Sequence, residues 1–127
     1  MTAYGEVAAA AARLAANGIH APPDAWRIAC EQRFPNSPSQ RSKGCPKGAF
    51  LGLCSAGLVR GVPAGSYTHS RLNADYAVNG VEALRSNPSL ASSAQRLWRH
   101  MSPDPNKAPN SQADVVIALF ESGLLAT

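Results

Sequence analysis

Large aromatic side chains are scarce in this chain of 127 residues: three phenylalanines, three tyrosines and two tryptophans amount to 6% of it. Leu, Val and Ala must therefore fill most of any core, with Trp26, Trp98, Phe34, Phe50 and Phe120 as its largest pieces. Cysteine is sparser. Cys30, Cys45 and Cys54 form an odd set without a CxxC pair, and His20, His69 and His100 are far apart, so no zinc-type ligand spacing exists. Acidic residues are few and scattered, with no carboxylate pair three or four residues apart, which leaves metal or glycosidase chemistry without support. No segment approaches the roughly 20 apolar residues that a membrane-spanning helix requires. The Ala-rich start carries Glu6 and Arg13 and no basic leader, which is unlike a signal peptide. These absences imply a cytoplasmic protein with reduced thiols, no metal, no cofactor and no membrane contact.

What remains is ordinary globular material. The chain is 45% hydrophobic and 16% charged, with a formal net charge of +4. Its length suits one domain over residues 1–127, since single domains most often run about 100–150 residues. A modest basic excess permits contact with phosphates or an acidic partner without demanding either.

Periodicity predicts an all-α domain of about six short helices. The first spans Ala3 to Asn17, capped by Thr2 and ended by a left-handed Gly18, with Tyr4, Val7, Ala8, Ala11, Leu14 and Ala15 on one face. Pro22 and Pro23 open a second helix through Cys30, which stops before Pro35. Residues 35–44 read as a basic loop. A third helix starts with Cys45 near its N-cap and Pro46 at its first position, and ends near Gly57. The fourth begins at Thr68 or Ser70 and ends near Asn87, with Tyr76, Ala77, Gly80, Val81 and Leu84 as its apolar stripe. Ser89 is the expected cap of a fifth helix bearing Leu97, Trp98 and Met101, and Ser111 with Asp114 resembles a capping box for a sixth. The Pro-rich segment 102–110 between them is a loop.

One stretch differs from the rest. Residues 41–68 hold six of the ten glycines, and Gly48 and Gly52 fall inside the third helix, where each costs about 1 kcal/mol relative to Ala. Their four-residue spacing, continued by Ala56, makes a smooth strip for the close approach of another helix or a ligand. Phe50, Leu51, Leu53, Cys54 and Leu58 cover the other faces, so this helix belongs at the centre of the bundle. Cys45 and Cys54 then lie roughly 13 Å apart on one helix, too far for a disulfide.

The start of the third helix is the candidate site. Free N–H groups and the helix dipole favour an anion there, and Arg41, Lys43 and Lys47 surround it. Gly44, Cys45, Gly48 and Tyr67 complete the ligand-binding set. The expected function is non-catalytic binding of an anionic ligand or an acidic protein surface. A first alternative is a small enzyme in which Cys45, its thiol activated by the helix end and two lysines, acts as nucleophile with His69 or His20 as base. A second is a winged-helix-like nucleic-acid binder, with Arg60, Tyr67, His69 and Arg71 on phosphates. The third helix offers only Lys47 and Ser55 to base edges, where a recognition helix needs several polar side chains.

The blocks YGEVAAAAA, SPSQRSKGCPKGAFLGLCSAGLVRGVPAGSYT and NSQADVVIALFESGLL together resemble a family of small uncharacterised bacterial proteins, and the central block is the most specific. The resemblance implies a free-standing helical domain. It implies no activity, and no catalytic residue is carried over from it.

Overall fold

Thr2 begins the first helix as the sequence requires: its hydroxyl accepts a hydrogen bond from the Gly5 N–H at 3.2 Å. The computed structural model describes residues 1–126. Helix α1 spans Ala3–Ala15, and a 3-10 turn, Ala16–Gly18, follows it, so the α-helix stops before Asn17. Asn17 is itself left-handed at φ 65°, and Gly18 at φ 73° continues the reversal. Helix α2, Pro22–Arg33, opens on two prolines whose missing N–H groups would have had no intrahelical acceptor. The 35–44 loop contains one helical turn, Pro38–Arg41, capped by Ser37, which local serine and proline chemistry permits in so short a piece.

Helix α3 is Gly44–Ser55, with Lys43 rather than Cys45 at its N-cap. Pro46 sits third in the helix, still within the first turn where no N–H is needed. Everything from Gly48 to Cys54 is buried, and Gly57 at φ 74° turns the chain away. Helix α4, Arg71–Ser86, buries the expected stripe Tyr76, Ala77, Gly80, Val81 and Leu84.

Two caps differ from expectation. Pro88–Ser92 forms a separate 3-10 turn started by Asn87, so Ser93, not Ser89, caps α5, Ala94–Met101, by accepting from the Arg96 N–H at 3.2 Å. Helix α6, Gln112–Glu121, has no capping box. Ser111 is left-handed at φ 69° and its hydroxyl caps nothing. The Gln112 side chain instead accepts from the Asn110 N–H.

The chain is a single all-α bundle. Helix α3 packs on α2, α4 and α6, and α6 in turn touches α1, α3, α4 and α5, so two helices share the centre. The Ala-rich face of α1 lets α6 come close, with Gly5 set against Ala118. Past α6 the chain returns along the segment after α3: Arg60 N–H donates to Leu124 O, Ala126 N–H to Leu58 O, and Val59 and Leu125 form an isolated antiparallel bridge.

The glycine strip of α3 faces the start of α4. A Cβ on Gly52 would lie 2.4 Å from the Ala74 Cα, and one on Gly48 would lie 2.9 Å from the Asn73 Cβ. Another helix backbone therefore fills this strip, which offsets the helix-propensity cost of both glycines. Substituting Gly52→Ala gains about 1 kcal/mol of propensity but drives a methyl into backbone, an overpacking cost of several times that size. Urea denaturation is expected to show a net loss of about 2 kcal/mol for this variant. Gly44→Ala, with nothing within 4 Å of the new methyl, is expected to change stability by no more than about 0.5 kcal/mol.

Candidate functional site

The basic corner is assembled from three separated parts of the chain. Arg41, half-buried at the end of the Pro38–Arg41 turn, donates from Nη1 to the carbonyls of Phe34 at 2.7 Å and Pro35 at 3.0 Å. It thereby ties the turn to the carbonyls just past the end of α2, of which Phe34 O also accepts the Ser37 N–H. Tyr4 of α1 donates its hydroxyl to the Gln40 carbonyl at 2.8 Å and packs its ring 5.2 Å from that of Phe34. Lys43 stands over the Tyr4 ring, 5.8 Å from its centre, and donates to Asn110 Oδ1 at 3.3 Å. Arg41 is thus committed to structure, Lys43 is partly so, and Lys47 is exposed with no hydrogen-bond or ion-pair partner among the described residues.

No side chain caps α3, and the N–H groups of Gly44 and Cys45 have no acceptor among the described residues. Gly44 is exposed, with open space where a side chain would begin. Of the other expected site residues, Gly48 is buried against Ser70 and Asn73 and offers no surface to a ligand. Tyr67 belongs to the opposite end of α3: its N–H donates to Ser55 Oγ at 3.0 Å and its hydroxyl to the Pro63 carbonyl at 2.7 Å. About 15 Å of helix separates it from the corner.

The three cysteines are unpaired. Burial pushes the Cys54 thiol up to about 12. Burial also pushes Cys30 up to about 11, against the opposing pull of nearby Lys47 and Arg41. Both are inert at neutral pH as nucleophiles. Cys45 is half-buried. His20 lies in the link between α1 and α2 and His69 in the segment before α4, and no hydrogen bond joins either imidazole to the Cys45 thiol among the described residues. No group of three or more His, Cys, Asp or Glu side chains gathers into a metal site among those residues either.

Behind the corner runs a chain of hydrogen bonds that sequence spacing does not reveal. Lys43 donates to the side chain of Asn110, whose N–H donates to Gln112 Oε1. Gln112, fully buried, donates from Nε2 to Asn73 Oδ1 at 3.1 Å, and Asn73 donates to Ser70 Oγ at 3.0 Å. Residues 43 and 110 are far apart in sequence; the local hint was a glutamine at the head of a mostly apolar helix.

A second feature went unread. A cleft of about 580 Å³ lies between α5, the 102–110 loop and the first turn of α6, lined in part by Trp98, Arg99, Lys107 and Asp114. Burial raises the Asp114 carboxyl above its ordinary value.

The chain belongs to the family of unknown function DUF6979, whose model matches residues 1–126. No curated protein matches the chain, and no solved structure does.

Iodoacetamide at mildly alkaline pH is expected to add one carbamidomethyl group to the native protein, on Cys45, and three after denaturation, read by intact mass and peptide mapping. Rapid native labelling of Cys30 or Cys54 would contradict their burial. For Asp114, the raised native pKa means that ionisation costs folding stability. Its contribution is whole below the ordinary carboxylate value and is lost as pH rises through the native one. Asp114→Asn should therefore gain stability relative to the parent as pH rises across that window, then hold a constant advantage to neutrality. Urea midpoints measured from acid to neutral pH check this.

Proposed function

We propose that this member of the family is a non-catalytic binding module whose α3 N-terminus receives an acidic group of a partner. The observation that carries the reading is the uncapped start of α3. The N–H groups of Gly44 and Cys45 have no acceptor among the described residues, and they lie in the first turn of α3 with Lys43 and Lys47 next to them in the chain. Partial positive charge at a helix end, reinforced by two ammonium groups, favours a carboxylate or phosphate by a few tenths to about 1 kcal/mol per interaction at such exposure. Lys43, Gly44 and Lys47 are exposed, so a small anion would stay largely in water. An acidic segment on a protein surface gains more, because it brings several carboxylates at once. Arg41 serves here by holding the turn that leads into the helix.

The enzymatic reading with Cys45 gains no support from geometry, since no base is hydrogen-bonded to the thiol and the neighbouring thiols are buried. The nucleic-acid reading is weakened by burial of α3 from Gly48 to Cys54, which keeps it from entering a major groove. A reducing, cytoplasmic setting is part of the proposal, supported by three unpaired thiols. A bacterial origin rests on the sequence resemblance alone. No helix among the described residues is long and apolar enough to cross a membrane.

Titrating the labelled protein with a Glu-rich decapeptide at low salt, followed by amide NMR, tests the reading. Saturable shifts are expected at Gly44 and Cys45, lost in Lys47→Glu and suppressed by salt at the physiological Debye length of about 8 Å. A peptide that leaves both amides unmoved at low salt would sink it.

A further inference from the structure

The cleft beside α5 is braced from within. The Trp98 indole N–H donates to the Lys107 carbonyl at 2.9 Å, which anchors the 102–110 loop over the helix. Ser102 Oγ donates to the Asp104 carbonyl and accepts from the Asp104 N–H, and Asp104 Oδ1 accepts from the Asn106 N–H. Pro105 and Pro109 further restrict the loop backbone. A concavity of about 580 Å³ falls within the size range of small-molecule sites, and preformed walls remove much of the ordering cost of binding.

Its lining is apolar with charge of both signs. Ala94, Trp98, Pro105 and Pro109 supply nonpolar surface. Arg99, Lys107 and Asp114 line it too, and none of their three side chains has a hydrogen-bond or ion-pair partner among the described residues. Asp114 is half-buried in the first turn of α6, so its carboxylate has given up water without gaining a protein cation in return. Arg99 belongs to the last turn of α5 and Lys107 to the loop.

We infer that this cleft binds a small zwitterion with an apolar body, an amino acid or short peptide, whose ammonium pairs with Asp114 and whose carboxylate meets Arg99 and Lys107. A simple anion would face the unpaired carboxylate, and a simple cation would face two positive side chains. A ligand carrying both charges satisfies every unpaired ionic group, while a Leu- or Phe-type side chain covers the Trp98 and proline surface. This site is separate from the basic corner at α3, and it stands or falls independently of the reading given for that corner.

The test uses the full chain and amide-plus-indole NMR with L-phenylalanine, L-leucine and the dipeptide Leu-Leu. Saturable shifts are expected at the Trp98 indole N–H and the amides of Lys107 and Asp114, while the Trp26 indole, buried elsewhere, stays put. N-acetyl-L-phenylalanine lacks the ammonium and L-phenylalanine amide lacks the carboxylate; each should bind roughly tenfold more weakly than the parent. Asp114→Asn should weaken phenylalanine by a similar factor and bind its acetylated form no more weakly than the unsubstituted protein does. Arg99→Gln combined with Lys107→Gln should spare only the amide. The comparison among ligands needs no variant, so a substitution that disturbed folding would leave it intact. The inference is overturned if no probe produces saturable cleft shifts up to about 10 mM, or if the acetylated and amidated forms bind as tightly as phenylalanine.

Discussion

The approach of α4 to α3 is the constraint on which the rest of the structure is built. At Gly52 the neighbouring backbone is so near that even a methyl group has no room. Interiors are close-packed, so such a contact fixes the relative position of two helices far more tightly than a pair of flexible side chains would. Once α4 is seated, Asn73 and Ser70 at its start are held beside Gly48. The amide of Asn73 then meets Gln112 at the head of α6, and the second central helix is positioned from the first.

Gln112 is the polar counterpart of that steric lock. A fully buried amide is costly unless its donors and acceptor are used, and its Nε2 and Oε1 both are. Its acceptor oxygen takes the N–H of Asn110, and Asn110 in turn receives Lys43. The start of α3 is therefore connected to the start of α6 through a loop remote in sequence. Between Asn110 and Gln112, Ser111 is left-handed and its hydroxyl is not used for capping, while the glutamine satisfies the Asn110 N–H.

Helix number, order and buried faces were legible because they depend on local signals. Thr2, Pro22 and the stripe from Tyr76 to Leu84 act through spacing within one or two turns, and the glycine strip announced a close neighbour without saying which. Features that depend on contacts between distant residues were not legible. Ser89 and Ser93 are equally good caps as sequence; only the 3-10 turn started by Asn87 and Pro88 decides between them. Tyr67 seemed to belong with the basic residues because all lie in the Gly-rich stretch, yet the intervening helix carries it to the far end. Arg41 lies three residues before α3 in the chain, but its guanidinium is aimed at the carbonyls of Phe34 and Pro35, where α2 has ended. The cleft was hidden for the same reason, since Arg99, Lys107 and Asp114 come from three elements and only the fold makes them neighbours.

The 102–110 loop joins both candidate surfaces. One end, at Asn110, holds Lys43 at the basic corner, and its middle, at Lys107, is pinned to Trp98 to form the wall of the cleft. Shape separates what each can take. A corner of exposed lysines cannot desolvate a small ion and gains strength only from a partner bringing several charges. A concavity with a half-buried, unpaired carboxylate suits a single small molecule better. Pro105 and Pro109 stiffen the loop, and its hydrogen bonds tie it at both places, so residues 107–110 are common to the wall of the cleft and to the support of the corner.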